Sequence, residues 1–388
     1  MKKITIGLFN DSFPPMIDGV GMVVDNYARR LCKIANVVVF VPDYREPYDD
    51  SKLPYKVVRC RSVKMPFVDY SLPMPLVDNA FRREVRKYDF DIIHIHSPFT
   101  IGKYGVDYAR RHHIPVLGTM HSQYQQDFYR AVASKKVVQE MVKEIIRVYN
   151  RCTQCFAVNK GMAELYYYEY KAKRMPLVLA NATEMNYVRD KEPANQRINQ
   201  KHSLKETDKV LLFVGRLNKL KNILFIIDSL VLLKEKNLTY DFKMLFVGHG
   251  QDENALKKYI HEKNLDDQVI LCGNVEDREE LTDYYVRSDL FLFPSLYDAS
   301  SIVQIEAASQ KVPTVFLEGS KTSSDITDRV NGFIAKNEQD YADMIDEALT
   351  NEELYHIVQE GAYHDVYRNW DHVVKEVYQM YLGYIDGR

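Results

Sequence analysis

The feature that most constrains this chain is a repeated alternation of short apolar runs with longer amphipathic stretches. Five runs fall in the first half: Ile4–Phe9, Val37–Val41, Ile92–His96, Val116–Thr119 and Cys155–Val158. Five more follow: Val210–Val214, Lys243–Val247, Val269–Cys272, Leu290–Phe293 and Thr314–Phe316. Short runs of Val, Ile, Leu and Phe bounded by polar turns are the signature of strands covered on both faces by helices. Helical spacing appears between them, over Val23–Ile34, Val137–Arg151, Ile223–Lys236 and Ser301–Gln310. Strand–helix alternation that occurs twice predicts an α/β chain with two parallel, doubly wound sheets. At roughly 150 residues per domain, 388 residues suit two domains.

The stretch Asn186–Lys209 is polar and reads as an interdomain linker with a short helix. The domains are therefore expected at 1–185 and 186–365. A final helix is predicted over Asp365–Ile385, with Trp370, Val373, Val374, Val377, Tyr378, Tyr381 and Leu382 at helical spacing. The start, Met1-Lys2-Lys3-Ile4, leads into a run that ends at Asn10-Asp11, which fits a first strand better than a signal peptide. No run approaches the ~20 apolar residues of a membrane span. The expected location is cytoplasmic, with peripheral attachment to the inner face of a membrane as a variant.

Five cysteines, at 32, 60, 152, 155 and 272, form no disulfide framework and point to a reducing compartment. The pair Cys152 and Cys155 lacks a second ligand pair for zinc and a thioredoxin-like context, so two buried thiols are expected there. Residues 1–185 hold 28 Lys and Arg against 19 Asp and Glu, a balance of +9. The rest holds 24 against 35, or −11. Such a split fits a first half that meets an anionic surface; a solvated helix face carrying Arg82, Arg83, Arg86 and Lys87 explains it equally well.

Three loops carry chemistry. Pro14–Gly21, after the first strand, holds Gly19, Val20 and Gly21, where backbone can approach a ligand at a helix N-terminus. After the first strand of the second half comes Gly215-Arg216-Leu217-Asn218-Lys219-Leu220-Lys221. An Arg fork and a Lys point charge beyond a strand suit a diphosphate. The third loop runs from Pro294 to Ala308 and is the most specific. Seven residues separate Asp298 from Glu306, with Ser300, Ser301 and Ile302 opening the helix that carries Glu306. Carboxylates there can accept from sugar and ribose hydroxyls, and the helix start favours an anion.

These residues resemble the retaining glycosyltransferases of the "glycosyl transferases group 1" class, family 4, which have the GT-B fold of two Rossmann-like domains facing a central cleft. Asp298-x7-Glu306 matches the family's pair of acidic residues. Gly215, Arg216 and Lys221 match its diphosphate clamp, Gly19 and Gly21 its glycine loop, and His121 its histidine. The resemblance implies that His121, Arg216, Lys221 and Asp298 serve catalysis. It implies that Gly19, Val20, Gly21, Gly215, Val275, Ser300, Ser301, Ile302 and Glu306 bind the nucleotide sugar. It also implies a terminal helix, 366–388, packed back on the first domain. The sequence departs from the pattern where Asp298 replaces Glu, where Ser300 and Ser301 replace glycines, and where Leu220 replaces an acidic residue.

The activity so implied is metal-independent transfer of a hexose, with retention, from a UDP-hexose such as UDP-glucose. No metal, cofactor or nucleic acid is expected. Rival readings are a sugar-nucleotide epimerase, for which no acid/base set is visible, and a catalytically impaired partner subunit. His94, His96 and His121 raise a metal site, but alternation at a strand end explains them. Asp89-Phe90-Asp91 only introduces a strand, and Tyr166, Tyr167, Tyr168 and Tyr170 read as helix packing or a surface patch. For the acceptor, His96–Gly102 and Thr119–Tyr129 resemble the bacterial diacylglycerol glucosyltransferases. Ala131–Arg151, with Lys135, Lys136, Lys143 and Arg147 among apolar residues, reads as an interfacial helix on an anionic membrane. A polysaccharide or lipid-linked glycan is the alternative acceptor.

Overall fold

The computed structural model describes residues 3–387 except 17, 45, 47, 65–70 and 237. Ile17 of the glycine loop, the first two residues and position 388 of the terminal helix lie outside the described residues. The chain forms two compact units, Met1–Asn181 with Trp370–Arg388, and Ala182–Asn369.

The first unit holds β1 (Thr5–Phe9), β2 (Asn36–Pro42), β3 (Lys56–Cys60), β4 (Ser62–Lys64), β5 (Ser71–Pro73), β6 (Ile92–Ile95), β7 (Val116–Met120), β8 (Gln154–Ala157) and β9 (Leu177–Val178). Seven of these make a sheet in the order β3-β2-β1-β6-β7-β8-β9, and β4 pairs with β5 as a separate antiparallel hairpin. The second unit holds β10 (Lys209–Val214), β11 (Phe242–Val247), β12 (Val269–Gly273), β13 (Leu290–Phe293), β14 (Thr314–Leu317) and β15 (Phe333–Ala335), in the order β12-β11-β10-β13-β14-β15. Pairing in both sheets is parallel throughout, as crossover helices require. All ten expected strands are present. Ile6, Leu8, Val39 and Ile93 in one sheet, and Leu211, Leu245 and Phe291 in the other, are fully buried.

The helices expected from residues 23, 137, 223 and 301 start at Gly19, Lys135, Ile223 and Ile302. The short helix expected in the linker is Glu192–His202, but it belongs to the second unit and does not join the two, and its polar face is spent on ion pairs. Arg197 forks onto Asp283 at 2.6 and 2.7 Å, Lys201 pairs with Glu280, and Asn199 accepts from buried Arg287 at 2.6 Å.

The terminal helix begins at Trp370 rather than Asp365, because Thr183 N donates to Arg368 O at 2.9 Å and holds the preceding segment extended. Trp370 meets Tyr27 edge-on at 5.8 Å, and Tyr381 reaches His94 at 2.7 Å. Asp91 accepts from Thr5 N at 2.8 Å, a structural role for that acid. Tyr166 is buried and donates to Ser122 O, while Tyr168 is exposed.

The interfacial reading of Ala131–Arg151 is corrected. The helix is Lys135–Tyr149, and Val138, Val142, Ile145 and Ile146 pack inward. An apolar stripe already used against the unit's own core cannot also enter a bilayer. Its outer face carries Lys143 against Glu140 and Arg147 against Glu144. No helix among the described residues is long and apolar enough to cross a membrane.

Neighbouring strand ends in the second unit cross closely. Gly248 has φ +137, and a Cβ there would stand 2.0 Å from Gly215 O. The backbone conformation alone costs a side chain about 1–3 kcal/mol. Gly248→Ala is expected to lower the unfolding midpoint by at least ~5 °C, at roughly 2–4 °C per kcal/mol. Gly319→Ala, at φ +83 in open space, shifts it less. Equal midpoints for the two variants by calorimetry would show that the crossing is not tight.

Candidate active site

In each sheet the strand order reverses once, between β1 and β6 and between β10 and β13. Ligands of open parallel sheets bind beyond the carboxyl ends of the strands at this reversal. The loops singled out in the sequence lie there. Pro14–Gly21 follows β1, His96–Gly102 follows β6, Gly215–Lys221 follows β10, and Pro294–Ile302 follows β13. The two reversal points are furnished very differently.

In the first unit the chain's own carboxylates occupy the helix starts. Asp11, 7% exposed, accepts from Ile101 N at 2.7 Å, Gly102 N at 3.2 Å, Thr100 Oγ1 at 3.1 Å and Ser97 Oγ at 2.6 Å. It caps the helix Thr100–Arg111, which lacks a side-chain bond from its own N-cap residue. Burial raises the pKa of Asp11, and the four hydrogen bonds oppose that rise. Gly102 is needed for this closure, since a Cβ there would meet Ser97 O at 1.7 Å.

Asp18 caps the helix Gly19–Leu31 and accepts from Gly21 N at 2.5 Å. Gly21 is buried, whereas Gly19 is exposed with open space around it and Val20 is half-buried. The Gly21 N–H, part of the helix start expected to face a ligand, is engaged by Asp18.

Three histidines gather at the ends of β6 and β7. His94 Nδ1 lies 2.7 Å from the Tyr381 hydroxyl, and its Nε2 lies 2.8 Å from Thr119 Oγ1. His96 Nδ1 lies 3.2 Å from His121 Nε2. Burial pushes His94 and His121 down to about 3 and His96 well below its ordinary value, so all three are neutral at pH 7. Among the described residues no group of three His, Cys, Asp or Glu is placed to hold a metal ion. Cys152 and Cys155 are free and partly exposed, and Cys155 Sγ donates to Tyr149 O.

In the second unit the reversal point carries cations. The turn after β10 is fixed by Leu217 N donating to His249 O and by Lys219 N donating to Asp252. The Asn218 side chain accepts from Lys221 N at 3.2 Å, and Asn222 takes the left-handed φ of 58° that starts the next helix. This turn presents Arg216 outward. Its guanidinium has no hydrogen-bond or ion-pair partner among the described residues, and it lines a pocket with Gly215, Gly248, His249, Asn274 and Val275.

Lys221 Nζ reaches Asp298 Oδ1 at 2.6 Å and Oδ2 at 2.8 Å, and Ser295 Oγ donates to Asp298 Oδ2 at 2.6 Å. The helix Ile302–Ser309 starts at Ser301 without a side-chain cap bond, unlike the helix starts beside Asp11 and Asp18. Ser300 and Ile302 are half-buried and Ser301 is buried. Glu306, 3% exposed, accepts from Arg278 Nη2 at 2.6 Å and from the Tyr285 hydroxyl at 2.9 Å.

The structure therefore joins Lys221 to Asp298, groups Gly215, Arg216 and Val275, and places Ser300, Ser301, Ile302 and Glu306 on one loop and helix. Gly19, Val20, Gly21 and His121 belong to the other unit. Sequence reading missed Asp11, Ser295, Arg278 and Tyr285. Asp11 alone left a trace, as an acid just past the end of a strand and so at a ligand-facing end.

Residues 17–178 match the family description "Glycosyltransferase Family 4", and residues 194–365 match "Glycosyl transferases group 1". The alpha-monoglucosyldiacylglycerol synthase of Streptococcus pneumoniae is 25% identical over 393 residues, covering 98% of this chain and 86% of that protein. The enzyme of the same name from Acholeplasma laidlawii is 23% identical, covering 86% of this chain and 85% of its own. Among solved structures, Anabaena HepE in complex with UDP superposes with a TM-score of 0.75 at 14% identity, over 98% of this chain and 99% of that one. With both units matched to consecutive family descriptions and the fold shared end to end, the chain belongs to family 4 of the GT-B glycosyltransferases.

Proposed function

We propose that this enzyme transfers a hexose, with retention and without a metal, from UDP-glucose or a similar UDP-hexose to a membrane lipid such as diacylglycerol. The observation that carries the donor assignment is the contrast between the two reversal points. Asp11 and Asp18 fill the anion positions of the first unit, whereas the second offers Arg216, Lys221 and a helix start with no side-chain cap bond. A diphosphate belongs with the cations. Anabaena HepE was solved with UDP and with UDP-glucose, which supports the choice of base and hexose.

Breaking the bond between the sugar's anomeric carbon and the β-phosphate oxygen leaves the electron pair, and a negative charge, on UDP. Arg216, Lys221 and the N–H groups at Ser301 and Ile302 stabilise that charge. The acceptor hydroxyl bonds to the anomeric carbon, and its proton passes to the departing phosphate. Asp298 holds the Lys221 ammonium in place and accepts from a sugar hydroxyl with a remaining lone pair, and His121 serves as a neutral hydrogen-bonding group. Each Glu306 oxygen already takes one donor and keeps a second acceptor site for a ribose hydroxyl.

The lipid acceptor is supported by the names of the two relatives and by the surface of the first unit. Val63, Leu72, Met74, Leu76 and Val77 are exposed around the hairpin of β4 and β5, and Arg82 Nη1 donates to Leu76 O. An apolar edge beside Arg61, Arg82 and Arg83 suits an anionic lipid interface. The test is transfer from UDP-glucose to diacylglycerol in anionic vesicles in excess EDTA, where full activity is expected. Transfer only to a water-soluble saccharide would replace the acceptor, and loss on chelation with recovery in Mg²⁺ or Mn²⁺ would overturn metal independence.

Arg216→Ala should lower turnover by about 10²–10³, the loss of one oxyanion-type contact, and leave stability within ~0.5 kcal/mol. Lys221→Ala should match it in rate and also lower stability, because it strips Asp298 of its counter-charge. Near-normal turnover in both variants removes the clamp. Glu306→Gln should raise the Kd for UDP about tenfold by titration calorimetry with a smaller effect on the unfolding midpoint, since the amide oxygen still accepts from Arg278 and its NH2 can donate to the Tyr285 hydroxyl. Unchanged UDP affinity would place Glu306 outside the nucleotide site.

A further inference from the structure

The histidines of the first unit are anchored unequally. His94 has both ring nitrogens engaged, by Tyr381 and Thr119. His96, 1% exposed, has one partner. Its Nδ1 lies 3.2 Å from His121 Nε2, while its Nε2 is buried with no hydrogen-bond partner among the described residues. The His96 ring stacks on His121 at 5.5 Å and 21°, and lies 4.2 Å from the ring of His94. His94 cannot reorient to serve His96 without breaking its own two bonds.

A neutral imidazole carries one proton, so the contact between His96 and His121 has a single donor. If His96 donated, its buried Nε2 would keep a bare lone pair, and His121 would carry its proton on Nδ1. If His121 donates, His96 carries an Nε2–H instead. The Tyr27 ring stands perpendicular to His96, at 86° and 5.3 Å, the arrangement in which a ring N–H can meet an aromatic face. Where the Nε2 edge of His96 meets that face, an N–H is attracted and a bare lone pair is repelled.

We propose that His96 is a positioning residue that fixes the tautomer of His121. The His121 Nε2–H donates to His96 Nδ1, so the nitrogen His121 offers to a substrate hydroxyl is a bare Nδ1, an acceptor. This rests on the reading of His121 as a group that serves the reaction. It explains why two histidines are buried behind a third. His94 locks the sheet end to the terminal helix, and His96 passes that rigidity to His121 as a choice of which nitrogen bears the proton.

The test combines a spectrum with variants of the full-length chain. With ¹⁵N-labelled histidine, the ring-nitrogen shifts of His121 should report a protonated Nε2 and an unprotonated Nδ1. His96→Phe keeps the ring and removes the hydrogen bond. It should lower kcat about tenfold, the effect of one hydrogen bond, with KM for UDP-glucose unchanged, measured as UDP release. His96→Asn, whose amide oxygen can sit where Nδ1 was, should recover most of that loss. The proposal fails if His121 carries its proton on Nδ1. It also fails if His96→Phe turns over normally while His121→Ala is crippled. Full activity in His121→Ala would remove the reading of His121 and the kinetic role of His96 with it, leaving the tautomer to be decided by the spectrum.

Discussion

The arrangement of the first unit depends on one buried carboxylate. Asp11 lies two residues past β1 and gathers four donors from the turn and helix start after β6. A carboxylate taken out of water is stable only when its oxygens are matched by donors. The match here dictates the path of two loops at once. It also forces glycine at 102, where the helix start passes Ser97 O too closely for any side chain. Removing the carboxylate would leave orphaned N–H groups at a buried helix start, and the two central strands would lose their common clasp.

That clasp has a chemical corollary. A helix start is an anion site by default, and a protein built from two similar sheets has two of them. In the first unit a fixed internal anion fills it, and on the proposed function the second unit leaves it to a diffusible one. Specialisation of the second unit thus needs no difference in topology, only a difference in who supplies the negative charge. Within that unit the cations are also not equivalent. Lys221 is largely neutralised by Asp298 at 2.6 Å, whereas Arg216 is uncommitted. On the proposed function, an incoming diphosphate would meet Arg216 first and share Lys221 with a resident carboxylate. Asp and Glu differ here by one methylene of reach, so the shorter acid keeps the lysine close to the loop of Ser295.

Most of the framework was legible because buried parallel strands announce themselves as apolar runs. β3 escaped because Lys56 and Arg59 interrupt it at the sheet edge, and β15 and β9 because they are three and two residues long. That the helix Glu192–His202 packs into the second unit was hidden because its charges are satisfied by partners about 80 residues away, Asp283 and Glu280, which no local pattern reveals. The same limit hid the bond between Lys221 and Asp298. The stripe of Val138, Val142, Ile145 and Ile146 was legible as apolar but not as inward-facing, since periodicity gives a face and not its solvent. The clamp, the acidic pair and the histidine were visible as motifs, while what pins them, Arg278, Tyr285, Ser295 and His96, became evident only in three dimensions.

The first unit is closed by a segment from the far end of the chain. Trp370 and Tyr381 supply the ring against Tyr27 and the hydroxyl on His94, and Thr183 is bonded to Arg368 where the chain leaves for and returns from the second unit. On a ribosome the amino-terminal sheet would therefore emerge first and yet wait for its last helix. The second unit, continuous in sequence, is complete before that helix is made. Synthesis should thus invert the usual amino-to-carboxyl order of domain completion, leaving the Tyr27 face of the nascent first unit uncovered for as long as the ribosome takes to translate the whole second unit. Over that interval the unfinished half is a natural client for chaperones.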